Sequence, residues 1–196
     1  MKVKICGITR LEDALLAETL GADYIGFIFH PDSPRYITLS QAAEIAAQLT
    51  QAKPIGVFVK HSAKEVIEIA EQVGLYGVQF YSQIANELPK PLLKIQALRI
   101  NDAEDLTPLV QGSAADFYLL DKHHATQFGG TGESFDWAIL PKYRDNLFLA
   151  GGICHDNVKA AVALKPYAID ISSGVESSPG IKDPVKLRQL FKDILA

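Results

Sequence analysis

Short runs rich in β-branched and aromatic residues recur along the chain at 3–8, 24–29, 54–59, 76–81, 92–99, 116–121, 147–151 and 168–172. Most are near-continuously apolar rather than alternating, the pattern of strands covered on both faces, as in parallel sheets. Between them, apolar positions fall at helical spacing over 11–20, 40–49, 63–73, 103–110, 155–164 and 184–195. Shorter helices are expected after the fourth and sixth strands, near 84–88 and 135–140. Gly21 is a good helix stop, and Ser40, Asn101 or Asp102, and Asp183 ahead of Pro184 are candidate N-caps or first-turn residues.

Strand and helix alternate eight times with no compositional break that would mark a linker. This predicts a (β/α)8 TIM barrel of the α/β class, a single domain over 1–196 built on a parallel eight-stranded barrel. The competing doubly wound sheet normally uses fewer strands and opens on a glycine-rich nucleotide turn. Here the first turn reads Cys6-Gly7-Ile8-Thr9 instead.

Composition narrows the picture. At 196 residues the chain is short for this fold, which typically takes roughly 250 residues, yet it is long enough to bury a core. With 48% hydrophobic and 21% charged residues it has the balance of an ordinary globular protein that folds alone. A net charge of −4 and a pI near 5.7 offer no broad basic footprint for nucleic acid, so an anionic ligand has to be met locally. No apolar stretch reaches the about 18 residues that would span a bilayer, and the opening Met1-Lys2-Val3-Lys4 leads into a run too short for a signal core. A cytoplasmic address without membrane contact is expected, and with it two reduced thiols at Cys6 and Cys154. The outer helices present no apolar surface beyond ordinary packing needs, which leaves monomer and homodimer both open.

In a barrel of this kind the active site lies at the C-terminal ends of the strands. Strand one ends at Cys6, strand two leads into His30-Pro31-Asp32-Ser33-Pro34-Arg35, and strand six ends at Asp121 before a loop holding Gly129-Gly130-Thr131-Gly132. Strand seven runs into Gly151-Gly152 and strand eight into Ser172-Ser173-Gly174. The last two loops commonly hold a phosphate on backbone N–H groups and a helix N-terminus, and glycines permit the close approach. The alternative is that these glycines serve only a tight turn needing positive φ. Arg35 offers a planar fork for a carboxylate, or is simply a solvent-exposed loop arginine.

A cysteine at a strand end is, taken alone, a small buried hydrophobe. Asp121 shares a strand face with Leu119 and Phe117, and a carboxylate over an apolar floor should have its pKa raised, which suits a general acid. Lys4 lies on the same face as Cys6, one layer lower, and Asp170 in the middle of strand eight is its candidate partner. His30, His61, His123, His124 and His155 fall in loops as scattered surface residues without the spacing of a metal motif.

With these residues placed, the chain resembles the phosphoribosylanthranilate isomerase family over essentially its full length. The resemblance rests on Lys4-Ile5-Cys6-Gly7-Ile8-Thr9, Gly21-Ala22-Asp23 through Gly26-Phe27, Ser33-Pro34-Arg35-Tyr36-Ile37 and Gly56-Val57-Phe58-Val59. It continues in Leu120-Asp121, in Gly129-Gly130-Thr131-Gly132 with Phe135-Asp136-Trp137, and in Asp170-Ile171-Ser172-Ser173-Gly174-Val175-Glu176 with Pro179-Gly180-Ile181-Lys182-Asp183. It implies an Amadori rearrangement in tryptophan biosynthesis, without metal or organic cofactor, on a phosphorylated small molecule. N-(5'-phosphoribosyl)anthranilate would become 1-(2-carboxyphenylamino)-1-deoxyribulose 5-phosphate.

By the same resemblance Asp121 is the general acid on the ring oxygen and Cys6 the general base at C2'. Arg35 holds the anthranilate carboxylate, and Gly151, Gly152, Ser173 and Gly174 hold the phosphate. Asp170 is a candidate near the aromatic amine. A free thiol near pKa 8.5 is mostly protonated at neutral pH, so the surroundings of Cys6 are expected to lower its pKa. One position departs from the family. After strand four it commonly reads Val-Gln-Leu-His-Gly, whereas this chain has Val78-Gln79-Phe80-Tyr81-Ser82. Tyr81 can still stack or hydrogen-bond, so altered contacts rather than lost chemistry are expected.

Rival readings are another phosphate-handling barrel, such as an imidazole-pathway sugar isomerase or an indole-forming synthase, and a non-catalytic binder of phosphoribosyl ligands. The sugar isomerase should show repeating half-barrels and paired aspartates. The binder would have little use for both Cys6 and Asp121.

Overall fold

A computed structural model describes residues 1–100, 114–122 and 145–195. Eight parallel strands close in sequence order into a barrel: β1 (Lys2–Cys6), β2 (Tyr24–Ile28), β3 (Lys53–Phe58), β4 (Gly77–Phe80), β5 (Leu93–Ile100), β6 (Phe117–Lys122), β7 (Leu147–Leu149) and β8 (Ala168–Ile171). All eight apolar runs are strands. Closure is made by β1 against β8, with Lys4 opposite Asp170.

Helices α1 (Leu11–Leu20), α2 (Leu39–Ala46), α3 (Ala63–Val73), α4 (Val158–Ala163) and α5 (Pro184–Leu195) join or follow the strands. Their stops and starts are chemical. Gly21 takes φ 107° and its N–H donates to the carbonyls of Ala17 and Glu18, ending α1. Asp183 accepts the N–H groups of Val185 and Lys186 and so caps α5, as expected. Ser40, by contrast, sits inside α2. The cap is Thr38, whose hydroxyl accepts from Gln41 N while the Gln41 side chain accepts from Thr38 N, a reciprocal box.

The segment 84–88 forms turns rather than the expected short helix. The reason is proline. In a helix the Ala85 carbonyl would accept from residue 89, and Pro89 has no N–H to give. The buried Lys94 ammonium takes that carbonyl at 2.9 Å instead. A second feature was not anticipated: after β8 a 3-10 turn (Ser173–Val175) leads into a small antiparallel hairpin of β9 (Glu176–Ser178) and β10 (Ile181–Lys182). The expected helices at 103–110 and 135–140, the caps Asn101 and Asp102, His123, His124 and the motif residues 129–137 lie outside the described residues.

Two apolar layers result. The larger lies between strands and helices, where Ile5, Ile25, Val78, Leu120, Leu149 and Ile169 meet Ala14, Val66, Ala161 and Leu187. The smaller fills the barrel with Tyr24, Ile55, Ile95, Leu119, Phe148 and Ala168. Tyr24 and Tyr167 hydroxyls meet at 3.0 Å, and the rings of Phe117, Phe148 and Tyr167 pack against one another in edge-on and tilted contacts, plugging the lower end. Each such buried side chain contributes roughly 1.5–3 kcal/mol. Polar groups inside the barrel therefore gather at the opposite end.

Candidate active site

The first polar layer above the plug is Lys4, Gln79 and Asp170, from β1, β4 and β8. Lys4 is fully buried, and its ammonium donates to Gln79 Oε1 at 2.8 Å and Asp170 Oδ2 at 2.9 Å. The expected Lys4–Asp170 pair is present. Burial pulls the Lys4 pKa down, yet Asp170 and Cys6 outweigh it and the net direction is up, so the residue stays an ammonium.

One layer higher a cavity opens at the barrel mouth, lined by Cys6, Arg35, Asp121, Gly151, Gly152 and Asp170 among others. Cys6 is buried at the end of β1. Its room comes from β2: a Cβ on Gly26 would stand 2.8 Å from Cys6 Sγ, so glycine there is a packing requirement. Burial pushes the Cys6 thiol pKa up, Lys4 and Lys182 pull against it, Asp170 adds to the rise, and the net direction is up. The expected lowering is not found in this site, because desolvation of the thiolate exceeds what two lysines restore. Both cysteines are free thiols.

Asp121 reaches the cavity from β6 beside Leu119. Around the barrel β6 and β1 are separated by β7 and β8. The loops after those two strands therefore lie between the carboxyl and the thiol. Gly151 and Gly152 take φ 89° and 65°, turning the chain sharply at the cavity edge, and Ser173 joins them there. Gly174 stands behind: a Cβ on it would fall on the carbonyl oxygen of Ile153, so it lets the β7 and β8 loops touch. Asp170 Oδ1 and Ser172 Oγ, both buried, have no hydrogen-bond partner among the described residues.

Arg35 is no exposed loop arginine. It is 7% exposed, and its Nε and Nη2 bind Glu176 at 2.7 to 3.1 Å while the side chain lines the cavity. Lys182, fully buried, donates to Glu176 Oε1 at 2.8 Å, to the Cys6 carbonyl at 2.7 Å and to the Ser172 carbonyl at 3.2 Å. Burial raises the Glu176 pKa, but Arg35 and Lys182 outweigh it and hold the carboxyl below its ordinary range. Lys182 is lowered, chiefly by burial, with Glu176 opposing.

Gln79, Glu176 and Lys182 were not singled out from the sequence. The available signal was a pair of charges flanking Pro179-Gly180 in a segment otherwise short of reasons for them. His30 also departs from expectation. It is buried and lines the cavity rather than lying on the surface. Tyr81 lines the same cavity. Among the described residues no three His, Cys, Asp or Glu side chains cluster as metal ligands.

The fold and the polar cluster at its mouth define a (β/α)8-barrel enzyme. The family model for N-(5'phosphoribosyl)anthranilate (PRA) isomerase matches residues 3–193. The chain belongs to this family. It is similar to the N-(5'-phosphoribosyl)anthranilate isomerase of Citrifermentans bemidjiense, 43% identical over 198 residues that cover 98% of this chain and 96% of that one. Among solved structures it is similar to phosphoribosyl anthranilate isomerase from Thermotoga maritima, with TM-score 0.90 and 35% identity over 100% of this chain and 98% of that one. Another, with TM-score 0.86 and 33% identity over 100% and 98%, is a phosphoribosyl anthranilate isomerase in complex with reduced 1-(o-carboxyphenylamino)-1-deoxyribulose 5-phosphate.

Proposed function

We propose that the chain isomerises N-(5'-phosphoribosyl)anthranilate to 1-(2-carboxyphenylamino)-1-deoxyribulose 5-phosphate, the Amadori step of tryptophan biosynthesis, with Asp121 as general acid and Cys6 as general base. The observation that carries the assignment of roles is the order of groups around one cavity: carboxyl on β6, glycine turns after β7 and β8, thiol on β1. A sugar phosphate anchored on the backbone of Gly151, Gly152, Ser173 and Gly174 would lie between the two. Asp121 protonates the furanose ring oxygen, and the ring opens to an iminium. The C2' proton, acidified by that iminium, passes to Cys6, and the enolamine tautomerises to the ketone.

Arg35 receives the anthranilate carboxylate in this reading. Glu176 occupies its Nε and Nη2 and so fixes how the guanidinium is presented. Asp170 Oδ1 meets the nitrogen. Among the described residues no helix is long and apolar enough to cross a membrane. A single domain over 1–196, a cytoplasmic address and a small phosphorylated ligand rather than nucleic acid belong to the same reading, which the mildly acidic charge supports.

Turnover is read as loss of phosphoribosylanthranilate fluorescence. Cys6→Ala and Asp121→Asn are each expected to cost at least about 10²-fold in rate. Full activity in either variant would remove that residue from its role. Tight binding of the substrate without any turnover by the wild type would favour a non-catalytic binder.

A further inference from the structure

Lys4 stands beside a carboxylate, Asp170, and a thiol, Cys6. Its ammonium has three protons to donate. Gln79 Oε1 and Asp170 Oδ2 take two. Cys6 leaves the same face of β1 one layer higher, close enough that the Lys4 ammonium favours the thiolate electrostatically. Asp170, for its part, lines the cavity and commits Oδ2 to Lys4, while its other oxygen, Oδ1, is buried with no hydrogen-bond partner among the described residues. A buried carboxylate oxygen in that state favours any donor that reaches it.

We propose that Lys4 is a positioning residue shared between Asp170 and Cys6: a substrate nitrogen that settles on Asp170 Oδ1 takes up the carboxylate's charge and leaves Lys4 to hold Cys6 as the thiolate. The inference rests on the reading of Cys6 as the base. It answers the difficulty that burial raises the pKa of the Cys6 thiol. The thiol proton departs to water through the open mouth as substrate binds, and Sγ then accepts the C2' proton, so the sulfur carries one proton at a time. In the armed state the iminium faces Asp170 and the ammonium faces the thiolate, and the Asp121 carboxylate left by protonation of the ring oxygen carries the remaining negative charge.

Besides Lys4 and Asp170, the other charged or titratable groups described around Cys6 include Lys182, Arg35, Asp121 and His30. The Lys182 ammonium is bound to Glu176 and to the Cys6 and Ser172 carbonyls. Arg35 is bound to Glu176. Asp121 and His30 line the same cavity from β6 and from the end of β2. Among the described residues, Lys4 is the cation next to Cys6 whose carboxylate partner, Asp170, the substrate would engage in this reading.

The test is alkylation of Cys6 by iodoacetamide as a function of pH, in a Cys154→Ser background that leaves one thiol. Asp170→Asn imitates the carboxylate whose charge has been taken up. It is expected to alkylate at least about tenfold faster than the parent near pH 7.5, the change brought by a tenfold larger thiolate fraction. Adding Lys4→Gln should return the rate to the parent's or below. A structural role for Lys4 would alter the yield of folded protein and leave the pH profile where it was. An unchanged profile in Asp170→Asn overturns the proposal whether or not the double variant folds, and so does a double variant that keeps the fast rate. Alkylation needs no turnover, so retained activity in Cys6→Ala would defeat the base reading separately.

Discussion

Glu176 balances two cations at the mouth of the barrel. Taking charges out of water is costly, and a buried carboxylate is tolerated here because Arg35 and Lys182 both donate to it. Removing the negative partner leaves two buried cations facing each other. Glu176→Gln is therefore expected to destabilise the fold by about 3 kcal/mol, read as a lower denaturant midpoint at neutral pH. The pH dependence has a definite sign. The folded-state pKa is held below that of the unfolded chain, so the stabilisation is complete above the ordinary glutamate value and disappears as pH falls through the folded value. Wild-type stability should fall more steeply in that acid range than the variant's; parallel curves would count against the argument. None of this was legible residue by residue, because Glu176 and Lys182 are six positions apart in a segment whose hairpin gives no strong periodic signal.

Elements were more legible where local chemistry dominates. Helices α1, α3 and α5 fall at the expected positions because apolar spacing, the glycine stops Gly21 and Gly74 and the caps Ser62 and Asp183 act within a few residues of one another. Thr38 shows the same logic at finer grain: the Thr-x-x-Gln box sets the cap of α2 two residues ahead of Ser40. Thr38→Ala should cost about 1 kcal/mol, a drop of roughly 2–4 °C in melting temperature for a chain of this size. Turnover should stay unchanged. The helix expected at 84–88 failed for an equally local reason, the prolines that follow it. The β9–β10 hairpin belongs to another category, since its value lies in where it delivers Lys182, under the Cys6 carbonyl.

At the scale of the whole molecule, barrel closure brings the β7 and β8 loops into contact, and Gly174 marks the point of touch. Gly174→Ala would press a methyl onto the Ile153 carbonyl and push the two loops apart. The expected outcome is a loss of about 1–3 kcal/mol in stability and, if these loops hold the phosphate, substrate binding weaker by about tenfold. A variant with native affinity and stability would show that the loops are free to adjust.

The apolar runs by themselves determined the eight strands and their parallel order, since a strand buried on both faces must be apolar throughout. Strand alternation also placed Cys6 with Lys4 and Asp121 with Leu119, because that pairing is fixed by a period of two. What only the tertiary structure decided is electrostatic. The burial that raises the Cys6 thiol, the commitment of Arg35 to Glu176, and the three carbonyl and carboxylate contacts of Lys182 depend on groups up to 176 positions apart in sequence. Charge interactions fall off with distance in space and respond to solvent exclusion, and closing the barrel sets both.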